Sequence, residues 1–199
     1  MNGTRNFTLE NLVMLSTFLL KPLRVGTMCS SSQTFAKQLV SWIEWEQARS
    51  IIEYGPGTGA FTKEILPCLR KDSRFFAVEL DRRLYKSFIK SYPEVKVYNE
   101  NAVEVEELCQ KEGLDKVDAI ISGLPWTCFS EQKQDALLEA TLKVLKPRGQ
   151  FATIAFTTGK FLPSGQKFAR KLEKYFSEVS RSPTTWRNVP PAFFYRCRR

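Results

Sequence analysis

From residue 48 onward, short apolar runs alternate with segments whose apolar residues recur every three or four positions. RSIIEY (49–54), RFFAVEL (74–80), VKVYN (95–99), DAIISGL (118–124) and QFATIAFT (150–157) read as buried strands. Between them the periodicity predicts helices over about 58–69, 82–91, 103–111, 131–145 and 164–176. Lys146-Pro147-Arg148-Gly149 stops the fourth of these, because proline and glycine cannot extend a helix. EVSRSPTTW and PAFFYRCR then read as two strands joined by a turn around Asn188–Pro191.

Strands alternating with helices imply right-handed crossovers and a mainly parallel sheet. Five such units closed by a hairpin predict an α/β fold with a Rossmann-like, seven-stranded sheet and an antiparallel C-terminal hairpin. About 45 residues precede this alternation, with helices expected over 8–20 and 33–45. The division expected is a helical segment at 1–46, capping a pocket and a candidate for membrane contact, and a binding domain at 47–199.

Ligands on such sheets bind at the carboxyl ends of the strands. EYGPGTGAF (53–61) lies there, after the first strand. It lacks the Gly-Lys-Ser/Thr ending of a triphosphate loop, and its glycines at 55, 57 and 59 lack dinucleotide spacing. Glu53 would repel a pyrophosphate and suits a ligand bearing an ammonium group. Glu79, at the end of the second strand, is placed to accept both hydroxyls of a ribose.

Composition narrows the chemistry. Histidine is absent, which excludes Ser-His-Asp and Cys-His nucleophile systems and leaves no expectation of a metal. The five cysteines are scattered and never form a CxxC pair, which predicts free thiols in a reducing compartment. LVMLSTFLL (12–20) is too short to span a bilayer, so the expected location is the cytoplasm, with peripheral contact at the inner membrane face. Net charge is +9, yet residues 1–145 hold 18 Lys/Arg against 19 Asp/Glu, and residues 146–199 hold 12 against two. That asymmetry points to an anionic partner meeting the C-terminal quarter.

Over residues 49–199 the chain resembles the class I S-adenosylmethionine-dependent methyltransferases. The resemblance implies S-adenosyl-L-methionine as cofactor and S-adenosyl-L-homocysteine as product. It places Glu53, Gly55, Gly57, Thr58, Gly59 and Phe61 around the methionine and adenosine portions, and Glu79 and Leu80 at the ribose. Asn101 stands where an Asp usually meets the adenine amine; its amide oxygen offers the same hydrogen bond, beside Ala102. Ser122 and Leu124 complete the pocket.

SGLPW (122–126) resembles the Asn-Leu-Pro-Tyr type motif of ribosomal RNA adenine N6-methyltransferases, with Gly123 in place of the amide that would hold the base. A second likeness is to bacterial phospholipid N-methyltransferases, which act on phosphatidylethanolamine. It rests on LLKPLRVGTMCSSSQTFAKQLV, GPGTGAFT, SGLP and TWRNVPPAFFYRCRR, with Ser30 replacing a proline before the paired serines. It implies Ser31 and Ser32 as further cofactor contacts, and a lipid amine as acceptor on an anionic membrane surface. Phe18, Trp126, Phe129 and Trp186 are candidate aromatic walls for an ammonium product, and Arg187 a candidate phosphate partner. Residues 7–24 read as an interfacial helix. The expected protein is a monomeric lipid-amine N-methyltransferase. RNA methylation is the first alternative, a small-molecule methyltransferase the second, and a binding protein without turnover the last.

Overall fold

A computed structural model describes residues 26–157, 163–186 and 191–199, with side chains from residue 33 onward. The expected helix over 8–20, the interfacial segment 7–24, Phe18 and Arg187 lie outside the described residues. Seven strands form one sheet: β1 (Ser50–Tyr54), β2 (Arg74–Val78), β3 (Lys96–Tyr98), β4 (Val117–Ser122), β5 (Leu145–Phe156), β6 (Glu178–Arg181) and β7 (Ala192–Arg198). Their order is β3-β2-β1-β4-β5-β7-β6. The first five run parallel, and β7 is antiparallel to both β5 and β6, as the alternation predicted.

Helices cover both faces. On one lie α4 (Val105–Lys111), α5 (Glu131–Val144) and α6 (Pro163–Tyr175), packed against Ile52, Tyr54, Phe76, Phe151 and Tyr195. On the other lie α1 (Gly26–Val40), α2 (Thr62–Ile65) and α3 (Arg82–Ser91). Phe35, Leu39 and Val40 of α1 share a core with Ile51, Ile121 and Phe194. The second half of α1, from Phe35 to Val40, is thereby built into the sheet's own core.

Some boundaries differ from the periodicity. Helix α1 starts at Gly26 and ends at Val40, where 33–45 was expected; Phe35, Ala36, Leu39 and Val40 anchor its second half, and the start lies in GTMCSSS, a segment of weak helix propensity. The helix expected over 58–69 is only α2, followed by a 3-10 turn at Leu66–Cys68. The glycine turn occupies the chain as far as Phe61, and Pro67 lacks the N–H that would continue the α pattern. Strand β5 begins directly at Leu145, which pairs with Val117; pairing resumes only at Gln150, so Lys146–Gly149 bulges from the ladder. β6 ends at Arg181, two residues before Pro183.

The chain leaves β3 to form β4 on the far side of β1, so strand order reverses between β1 and β4. The loops following those two strands meet there.

Candidate active site

Along β1, side chains alternate between the two faces, and Glu53 faces α2. It is wholly buried. The Thr62 hydroxyl donates to its Oε2 at 2.6 Å, while Oε1 has no partner among the described residues. Burial, above all, pushes its pKa up to about 8; the Thr62 hydrogen bonds oppose the rise and Glu79 adds to it. Free of ligand at neutral pH, Glu53 is therefore largely a neutral acid with one oxygen idle.

Glu79, 6% exposed, closes the other side of the glycine loop. Its Oε2 accepts from Gly57 N at 3.1 Å and its Oε1 from Asp81 N at 2.9 Å, which leaves the carboxylate capacity for a further donor. Burial raises its pKa against the pull of those backbone donors. Asn99 fixes the strand end from beneath, donating to the carbonyls of Glu79 at 2.8 Å and Leu80 at 3.2 Å. Leu80 itself is exposed. Asn101 caps the following 3-10 turn, its Oδ1 accepting from Val103 N at 3.2 Å, with a second lone pair remaining. Ala102 is buried in the core behind it.

The structure thus brings Glu53, the glycine loop, Glu79 and Asn101 to the carboxyl ends of β1, β2 and β3. Thr58 is half-buried in the loop, and Phe61 is buried beneath it in the second core. Ser31 and Ser32 fall within α1, with their side chains outside the described residues.

The turn after β4 lies alongside. Gly123 N donates to Tyr54 O at 2.8 Å, and a Cβ on Gly123 would lie 2.7 Å from Gly55 O. Leu124 packs on Gly55 from the same turn. The Ser122 hydroxyl accepts from the Trp126 indole at 3.0 Å and from Leu124 N at 3.3 Å. Trp126 is 1% exposed and stacks on Phe168 at 5.3 Å, so it belongs to the core rather than to an aromatic wall. Phe129 is half-buried, and Lys133 Nζ sits 4.1 Å from its ring centroid. Trp186 is 73% exposed, in the connection between β6 and β7, at the end of the sheet where Ala192 pairs with Phe156.

Three residues that the sequence did not suggest hold this site. Thr62 orients Glu53. Gln134 donates from α5 to the carbonyls of Trp126 at 2.7 Å and Phe129 at 3.3 Å, clamping the turn after β4. Tyr92, at the end of α3, donates to Gly59 O at 3.1 Å. Of these only Thr62 carried a signal, as a hydroxyl about two turns of chain beyond the acid.

Gly59 has φ +84°, and a Cβ there would lie 2.1 Å from the Tyr92 ring. Gly59→Ala is accordingly expected to destabilise the fold by about 3 kcal/mol, from backbone strain plus overpacking. Urea denaturation of the two proteins measures this.

The geometry tests well for a nucleoside carrying an amino acid. An idle carboxylate oxygen suits an ammonium, and a second buried carboxylate with capacity for a further donor suits a diol. At Gly57 an added Cβ would meet nothing within 4 Å, so there is room for a ligand against the loop.

Residues 26–139 match the ribosomal RNA adenine dimethylase family. The chain belongs to that family. It is an S-adenosylmethionine-dependent methyltransferase, with the donor supplying the methyl group and the chain supplying the pocket.

Over 189 residues it is 29% identical to an ornithine lipid N-methyltransferase of Singulisphaera acidiphila, spanning 94% of each chain. A ribosomal RNA small subunit methyltransferase A of Malacoplasma penetrans is 31% identical over 109 residues, which is 54% of this chain and 38% of that one. Among solved structures, the O-methyltransferase TomG of Streptomyces achromogenes, in complex with S-adenosylmethionine, superposes with a TM-score of 0.64 at 16% identity, covering 100% of this chain and 99% of that one. A Bacillus cereus O-methyltransferase in complex with S-adenosylhomocysteine gives 0.66 at 16% identity, covering 98% and 91%. Those two likenesses are of fold. Among the described residues no helix is long and apolar enough to cross a membrane.

Proposed function

We propose that this methyltransferase acts on the amine of a lipid head group, such as an ornithine lipid or phosphatidylethanolamine. The observation that carries this reading is the end-to-end similarity to an ornithine lipid N-methyltransferase, against a similarity to an RNA methyltransferase confined to about half of the chain.

The geometry of Gly123 supports it. Nothing larger than hydrogen fits there without displacing Gly55, so position 123 offers an acceptor no side-chain amide, and the half-buried side chains of the turn are those of Leu124, Pro125, Thr127, Cys128 and Phe129. A conjugated adenine amine is a poor nucleophile and gains from a side-chain amide that holds it. An aliphatic amine is nucleophilic once deprotonated, and needs positioning and exclusion of water more than a base. In this reading Phe129, which already holds the Lys133 ammonium over its ring, attracts the growing methylammonium by about 1 kcal/mol.

The family match keeps RNA adenine methylation as the second reading. Labelled S-adenosylmethionine is incubated with the full chain and, separately, with ornithine lipid, phosphatidylethanolamine, ribosomal RNA and short aliphatic amines. Label is expected in an aminolipid. Label confined to RNA would sink the proposal, and label confined to the free amines would replace the lipid with a small molecule.

A further inference from the structure

The basic C-terminal quarter of the sequence looks different once folded. Lys146 pairs with Asp118 at 2.7 Å, Lys167 with Glu131 at 2.8 Å, and Lys171 with Asp135 at 2.8 Å. Arg198 meets Glu44 and Glu178. Arg181 lies 5.3 Å from the centroid of the Tyr195 ring, and Arg196 lies 4.9 Å from that of Phe194. Most of these cations are engaged by the protein itself.

A row of cations without acid partners stands instead in a charge-balanced part of the sequence. Helix α3, RRLYKSFIKS, holds four basic residues and no acid. Arg83 pairs with the capping Asp81 at 3.3 Å. Arg82, Lys86 and Lys90 are exposed, and among the described residues none has an acid within ion-pair reach.

Their spacing of four makes one row along the helix. Like charges at that spacing disfavour an isolated helix, so the row costs stability that an anionic partner would restore. Ile89, 38% exposed, and the half-buried Tyr85 form a parallel strip beside the row, while Phe88 anchors the opposite side in the core. Helix α3 also starts at the site: Asp81 caps it, and the Asp81 N–H is held by Glu79.

We propose that the outward face of α3 docks on an anionic lipid bilayer. Arg82, Lys86 and Lys90 meet head-group phosphates, and Ile89 and Tyr85 enter the interface, as in helices that lie on membranes. The proposal rests on the lipid-acceptor reading, and it deepens that reading by naming the surface through which the enzyme reaches its substrate. An RNA backbone would use the same cations but would gain little from an exposed isoleucine beside them.

The test is sedimentation of the full chain with vesicles of phosphatidylglycerol and phosphatidylcholine in equal parts, at about 0.1 M salt, where surface charges still act over roughly 10 Å. Arg82→Gln/Lys86→Gln/Lys90→Gln is expected to weaken partitioning by about tenfold or more, and raising the salt several-fold should do the same to the wild type. Ile89→Ser is expected to weaken it a few-fold at constant charge. S-adenosylmethionine affinity, measured by calorimetry, should be unchanged in both variants and reports that they are folded.

A triple variant that sediments like the wild type overturns the proposal. So does a wild type that ignores these vesicles, or a triple variant that loses only affinity for a structured RNA. Methyl transfer to aminolipid dispersed in neutral detergent micelles keeps the two readings apart. Its absence in the wild type counts against the lipid acceptor, whereas normal transfer in micelles with weak vesicle binding is the signature of lost docking.

Discussion

Glu53→Gln is expected to weaken S-adenosylmethionine binding by roughly 100-fold and to make the ligand-free protein more stable than wild type at alkaline pH. The first effect follows from the idle Oε1. In the proposed pocket this oxygen meets the donor's ammonium; an amide keeps the Thr62 hydrogen bond but turns an N–H toward that cation, losing a charge-assisted contact of about 2–3 kcal/mol.

The second effect follows from burial. Glu53 has a pKa of about 8 in the fold against an ordinary 4.5, so the folded state holds its proton more tightly. Its contribution to stability is complete below the unfolded value and is lost as pH rises through that window to the folded one. At pH 9 the ionised, unpaired carboxylate costs on the order of 4 kcal/mol, which the glutamine variant escapes. Calorimetric melts at pH 6 and pH 9 measure the difference. Binding should also expel a proton near pH 7, because the arriving ammonium favours ionised Glu53; binding heats taken in two buffers of unlike ionisation enthalpy report it. Equal melting curves for the two proteins at pH 9 would contradict the neutral-acid picture.

Trp126→Ala is expected to cost about 3–5 kcal/mol, a large part of the 5–15 kcal/mol available to a domain of this kind. The indole is packed on Phe168, meets the Phe151 ring edge-on at 5.9 Å, and places its N–H on Ser122. Removing it opens a cavity beneath the turn that carries Gly123. Trp126→Phe keeps most of the packing and loses the hydrogen bond, for about 1 kcal/mol. Denaturant midpoints for the three proteins distinguish these outcomes. An alanine variant of full stability with a raised KM for the acceptor would return Trp126 to the substrate wall.

The fold was largely legible because its signals are local. Most of the strands are runs rich in β-branched and aromatic residues, most of the crossover helices repeat at their own period, and glycines follow β1 and β4. Glu53 and Glu79 stood out for the same reason, being acids at the ends of apolar runs.

Contacts between distant segments were not legible. Gln134 reaches back eight residues to Trp126 O, and Tyr92 reaches Gly59 across 33 residues. Lys146 finds Asp118 at a separation of 28, so a count of charges along the chain could not show which cations the fold would neutralise. Trp126 was read as a wall because its neighbours in sequence resemble a substrate turn; only the packing of α6 shows that its ring points inward. The start of α1 was missed because glycine and serine argue against helix.

The close approach of Gly123 to Gly55 has a consequence for redesign. Because a Cβ on Gly123 would strike the carbonyl of Gly55, the donor and acceptor halves of the proposed pocket would share a single seam. A designer seeking a new methyl acceptor gains nothing from position 123, where any side chain would be felt first by the loop proposed to grip the donor. Thr127, Cys128 and Phe129 lie beyond the seam, with the carbonyls of Trp126 and Phe129 tethered to the Gln134 amide. Libraries confined to those three residues, with Gln134 held constant, would explore new acceptors while leaving the proposed donor loop untouched.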